Sequence, residues 1–107
     1  MRATYDVKLA PPAIACVKRI ANKKFQREVA KAIDGLAERP QTQGKPLSAP
    51  LDGLWSLRAA RDRYRVIYEV EVSTKRVMVL LIGERKPGRA QDIYRAAGRL
   101  LRELLSE

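Results

Sequence analysis

Four arginines stand close together at Arg58, Arg61, Arg63 and Arg65, and another follows at Arg85. A guanidinium keeps its charge at neutral pH, and its planar fork of donors matches phosphate oxygens. The run from Gly53-Leu54-Trp55-Ser56-Leu57-Arg58 to Arg63-Tyr64-Arg65-Val66-Ile67-Tyr68 reads as two adjacent strands that aim several of these groups at one surface. Rigid strands holding several such forks make a site for a polyanion. Arg65 falls opposite the apolar set Tyr64, Val66, Tyr68 and Val70, on the polar face of its strand. Arg85 follows Gly83, which leaves room for close approach at the end of the next strand. A guanidinium does not give up its proton near neutral pH, so Arg85 suits electrostatic stabilisation better than proton donation. Arg61 and Arg63 lie in the tight turn, where they suit contacts to backbone phosphates. Glu69 and Glu84 are read as partners that fix an arginine's rotamer.

What is missing narrows the chemistry. The chain has no histidine, which excludes the paired-imidazole route to RNA cleavage. Its single cysteine, Cys16, sits among apolar residues and reads as a small core residue, so no internal disulfide forms. No Cys/His cluster suggests a metal site, and no cofactor is expected. Lysine and arginine number 22 against 12 acids, a net charge of +10, which favours nucleic acid, an anionic membrane or an acidic protein as partner. Met1-Arg2-Ala3-Thr4-Tyr5-Asp6 is too polar for a signal peptide. The longest apolar run, Val77-Met78-Val79-Leu80-Leu81-Ile82, is far too short to span a bilayer. A soluble, cytoplasmic protein with no membrane association is therefore expected.

The elements that must carry these residues follow from periodicity. Thr4 to Leu9 alternates as a short strand, with Tyr5, Val7 and Leu9 on its apolar side. Pro11-Pro12 opens a helix, and Ile14, Val17 and Ala21 continue it at helical spacing. Asn22 breaks or caps the chain before a second amphipathic helix through Phe25, Val29, Ala32, Ile33 and Leu36, which Pro40 ends. Gln41 to Gly53 reads as loop. Strands are expected at Leu54 to Ala59, Arg63 to Val72 and Arg76 to Glu84, the last apolar on both faces and hence central. A final helix follows Pro87-Gly88, marked by Ile93, Ala97, Leu100, Leu101 and Leu104. At 107 residues, strand, helix, helix, three strands and helix make one α+β domain over 1–107. Trp55 either anchors the core or stacks a base.

This order, together with Gly44-Lys45-Pro46-Leu47, Leu51-x-Gly53-Leu54-Trp55-Ser56-x-Arg58, Tyr64-Arg65-Val66-Ile67-Tyr68, Gly83-x-Arg85 and Ile93-Tyr94, resembles the RelE/ParE superfamily of toxins from toxin–antitoxin pairs. Within it the chain is more similar to the RelE branch than to the ParE branch. The resemblance implies a small antiparallel-type sheet of about four strands, with an N-terminal helical hairpin packed on one face and a C-terminal helix. It also implies a ribosome-dependent endoribonuclease that needs no metal. A ribose 2′-hydroxyl would attack its own 3′ phosphate and leave a 2′,3′-cyclic phosphate and a 5′-hydroxyl. Such an enzyme must help remove a proton, stabilise the phosphorane and protonate the leaving oxygen.

The resemblance makes Arg65, Arg85, Arg58 and Tyr94 the catalytic residues, and Ser56, Arg61, Arg63, Lys45 and Lys86 the RNA-binding ones. Arg65 would stabilise phosphate charge, and Arg85 would contact the scissile phosphate. Tyr94 would stack on a base or orient the 2′-hydroxyl, or else cap the core. Ser56 and Arg58 occupy positions where the RelE pattern often has lysine. A lysine can be tuned into a base and an arginine cannot, so the general base is unidentified. An enzyme that relies on the ribosome to orient its substrate suits that gap. The implied partners are a cognate acidic antitoxin, forming a hetero-oligomer with the toxin, and the ribosome with its message. A ParE-type toxin that inhibits DNA gyrase without nuclease chemistry is the alternative.

Overall fold

The computed structural model describes residues 4–85 and 92–105. The chain runs β1 (Asp6–Leu9), α1 (Pro11–Arg19), α2 (Lys23–Gly35), α3 (Pro40–Gln43), β2 (Lys45–Pro46), β3 (Leu54–Ala59), β4 (Tyr64–Glu71), β5 (Arg76–Glu84) and α4 (Asp92–Leu105). The fold is α+β. Its sheet has five strands in the order β1-β5-β4-β3-β2. β5 is an inner strand, as its two apolar faces suggested, with β1 parallel on one side and β4, the middle strand, antiparallel on the other. The sheet exceeds the expected four strands because Lys45–Pro46, in a segment read as loop, pairs with Trp55 and Ser56. A stretch of two residues leaves no alternation to detect.

Local chemistry sets the helix ends. Pro11 opens α1, where a missing N–H costs nothing. The Asn22 side chain accepts from the Phe25 N–H and caps α2. Gln26 Nε2 donates to the Val17 carbonyl at 2.9 Å and closes the α1–α2 hairpin. Pro40 does not end α2, which stops at Gly35; it starts the short α3 instead, after Arg39 at φ 49°. The Pro40 carbonyl accepts from the Tyr68 hydroxyl at 2.7 Å, which pins this corner to the sheet.

One sheet face packs under the helical hairpin. Ala13, Ile20, Val29, Ile33 and Leu36 meet Leu57, Val66, Tyr68, Val77 and Val79 there. Trp55 joins this core from its edge, stacked on Tyr68 with ring centroids 6.4 Å apart. The opposite face is not wet along its length, as strict alternation implied. A register shift at Ile67/Tyr68 accompanies a second core, in which Ile67 is fully buried with Leu51, Leu54, Ile93 and Ala97. α4 supplies the cover. A Cβ on Gly83 would collide with Ile93, so this glycine admits the helix rather than a substrate.

Candidate functional site

The charged half of the second face begins where the second core ends. Ser56 and Arg58 project from β3, and Arg65 lies opposite Arg58 on β4. Lys45 lies opposite Ser56 on β2. Gly44 makes that placement possible, because a Cβ there would stand 2.5 Å from the Tyr68 hydroxyl and 2.7 Å from the Ser56 carbonyl oxygen. Tyr94 reaches across from α4, its hydroxyl 3.4 Å from Ser56 Oγ. Lys45, Ser56, Arg58, Arg65 and Tyr94 thus line one cleft of about 540 Å³. A neighbouring hollow of about 400 Å³ is lined by Arg61, Asp62, Arg63 and Arg85.

Asp62 joins the two. Its Oδ1 accepts from Arg65 Nη1 at 2.6 Å and lies 3.6 Å from Arg58 Nε. Its Oδ2 accepts from Arg85 Nη1 at 2.9 Å. Guanidinium groups from β3, from β4 and from just beyond β5 therefore converge on one carboxylate. Two arginines facing each other across a strand pair repel, and a carboxylate between them offsets that repulsion. Burial alone would raise the Asp62 carboxyl, but the charges of Arg65, Arg58 and Arg85 and the Arg65 hydrogen bond outweigh it and hold the carboxyl below its usual value. Asp62 is thus an anion at neutral pH and a poor proton acceptor.

The arginines differ in freedom. The Arg65 side chain is only 13% exposed, against 64% for Arg58 and 54% for Arg85. Arg65 is therefore embedded in the site's wall, not displayed on an open strand face. Arg61 and Arg63 lean towards α2: Arg61 Nε lies 3.8 Å from Glu28 Oε1, and the Arg63 guanidinium stacks 5.2 Å over the Phe25 ring. Lys86 lies outside the described residues.

Sequence reasoning assigned the rotamer-fixing role to Glu69 and Glu84. Among the described residues the carboxylate paired with Arg58, Arg65 and Arg85 is that of Asp62. The signal was present: Asp62 is the one acid in a run that holds Arg58, Arg61, Arg63 and Arg65.

The comparisons agree with this architecture. The sequence model of a family described as the ParE toxin of type II toxin–antitoxin system parDE matches residues 7–87. No curated protein sequence matches at a significant level. The chain is similar in structure to the toxin–antitoxin complex RelBE2 of Mycobacterium tuberculosis, at 26% identity and TM-score 0.69, covering 79% of this chain and 95% of that one. It is similar to the archaeal RelE–RelB complex of Pyrococcus horikoshii, at 26% identity and TM-score 0.60, covering 81% and 99%. The chromosomal ParDE system of P. aeruginosa shares the fold at 18% identity and TM-score 0.61, covering 77% and 97%. With a family match over most of its length and relatives from both branches in the same fold, the chain belongs to the RelE/ParE family of toxins of type II toxin–antitoxin systems.

Proposed function

We propose that this toxin cuts messenger RNA on the ribosome by in-line attack of a ribose 2′-hydroxyl on the adjacent phosphate. The observation that carries this reading is the gathering of Arg58, Arg65 and Arg85 on Asp62, with Arg58 and Arg65 also lining the cleft that holds the Ser56–Tyr94 hydroxyl pair. Phosphoryl chemistry of this kind is mostly positioning and charge stabilisation. Arg65 and Arg85 face the extra charge of the phosphorane, with Arg58 beside them. Tyr94, tethered to Ser56, orients the sugar. Lys45, Arg61 and Arg63 hold the chain on either side, and Lys86, next in sequence after Arg85, is a further candidate for RNA binding. The reaction needs no metal and no covalent enzyme intermediate. No carboxylate or imidazole faces the cleft among its described lining residues, so the ribosome supplies orientation and the rate depends on it.

The antitoxin counterpart is an acidic protein whose carboxylates cover the basic cleft and silence the toxin in the cytoplasm. Complexes of toxin with antitoxin among the structural relatives support a hetero-oligomer here. Among the described residues no helix is long and apolar enough to cross a membrane.

A second reading rests on two observations: the matched family model is that of ParE toxins, and Ser56 and Arg58 stand where the RelE pattern often has lysine. In that reading the basic surface grips DNA gyrase and cuts nothing. One experiment separates the two. Purified toxin is added to a translating extract with a defined message, and RNA ends are mapped while gyrase supercoiling is assayed in parallel. Cuts bearing 2′,3′-cyclic phosphates on translated message, with little cutting of naked RNA, are expected. Intact message with inhibited supercoiling overturns the nuclease reading.

A further inference from the structure

We propose that Asp62 is a positioning residue: its carboxylate sets the guanidinium groups of Arg58, Arg65 and Arg85 so that they meet a single phosphate together. The inference deepens the nuclease reading and rests on it for its kinetic arm.

The turn that carries Asp62 is unusual. Ala60, Arg61 and Asp62 all have positive φ, at 51°, 57° and 69°. Such backbone is costly for residues with a Cβ, although Asp tolerates it better than most. The Arg63 N–H donates to the Ala60 carbonyl at 3.1 Å and closes the turn. The Arg85 N–H donates to the Arg63 carbonyl at 2.7 Å and ties the end of β5 to it. The turn is thus held from two sides, and the Asp62 carboxylate, its side chain 37% exposed, sits at the charged end of the sheet.

Arg65 shows what the carboxylate accomplishes. Its Nη1 donates to Asp62 Oδ1 at 2.6 Å, to the Asp62 carbonyl at 3.3 Å and to the Tyr64 carbonyl at 3.5 Å. One nitrogen of the fork is consumed inside the protein. Among the described residues nothing accepts from Nε or Nη2, so that edge serves an anion in the cleft. Arg58 and Arg85 lie in more open surroundings: Arg85 Nη1 donates to the same carboxylate at 2.9 Å, and Arg58 Nε stands beside it as an ion pair at 3.6 Å. Fixing one donor of the Arg65 and Arg85 forks, and drawing Arg58 to the same charge, removes rotamer freedom before the substrate arrives, which favours the reacting geometry. The carboxylate also repels any phosphate. A residue that only bound RNA would not be an acid at this point.

Two effects of opposite sign follow for Asp62→Asn, which keeps the shape and the tolerance for positive φ. Single-turnover cleavage of ribosome-bound message should fall at least tenfold. Affinity for a non-cleavable message, with a 2′-deoxy sugar at the cut, should stay equal or become tighter. A purely structural role would weaken both and lower the melting temperature. Asp62→Gly supplies a second variant, because glycine adopts a φ of 69° without strain. It should remain folded and cut as slowly as Asp62→Asn.

A third readout is independent of cleavage. The Nε–Hε NMR signals of Arg58, Arg65 and Arg85 should be dispersed in the parent and collapse towards the free-guanidinium position in Asp62→Asn. Unchanged arginine signals, or an unchanged cleavage rate in a folded variant, overturn the proposal. A parent protein that cuts no message overturns the nuclease reading instead, and the arginine signals then decide the role of Asp62 alone.

Discussion

The two faces of the sheet solve different problems with the same strands. Under the α1–α2 hairpin, Leu57, Val66, Val77 and Val79 form an apolar core against helix residues such as Val29 and Ile33. Under α4, apolar packing stops partway: Leu54 and Ile67 are buried with Ile93 and Ala97, whereas Arg58 and Arg65 further along hold charge. The second face therefore couples stability to function, since the helix that buries Ile67 also delivers Tyr94 to Ser56. A change on the first face should act on folding alone. On the second face the outcome depends on position along the strand.

The largest effect is expected at the charged end. Arg65→Ala should slow message cleavage by about a hundred- to a thousand-fold, the usual cost of losing a donor to transition-state charge. Because the Arg65 side chain is only 13% exposed, stability should also drop, by about 1 kcal/mol in a urea melt. A folded variant with full activity would erase the difference between the faces. At the apolar end, Ile67→Ala should cost about 3 kcal/mol in the same melt. A neutral result would mean that α4 does not seal this face.

The two tyrosine hydroxyls sharpen the contrast. Burial pushes the Tyr68 hydroxyl up to about 12 from 10.0, against the lowering effect of its hydrogen bond from the Gly44 backbone. The folded protein thus holds this proton more tightly than the unfolded chain does. Stability should be full below about pH 10 and fall as pH rises from there towards 12, by up to about 3 kcal/mol. Denaturant midpoints measured across that range should show the slope in the parent and lose it in Tyr68→Phe. The smallest effect belongs to Tyr94→Phe, which removes the hydroxyl facing Ser56 and leaves the ring in place. Cleavage should slow by about tenfold, roughly 1.4 kcal/mol, with an unchanged melting temperature.

What the chain revealed about itself divides along the same line. β3 and β5 have the bounds that their patterns implied, Leu54–Ala59 and Arg76–Glu84, because burial enforces those patterns residue by residue. Asn22 announced a helix start by its side-chain chemistry. Arg58 and Arg65 were legible as neighbours from strand parity. Their embedding was not, because alternation says which way a side chain points and nothing about what later covers it. Ile67 has the same strand parity as Arg65 and yet is fully buried, and Gly83 was read as room for close approach when Ile93 fills it. Asp62 escaped because a turn has no period, and its role depends on three strand ends meeting in space.

The most direct test is scission of a ribosome-bound message by the parent, by Arg65→Ala, by Arg85→Ala and by the double variant. If one phosphate is held by both arginines, the parent leaves 2′,3′-cyclic phosphate ends and the double variant is scarcely slower than Arg65→Ala alone. Independent, multiplying losses, or a message left whole by the parent, would contradict the account.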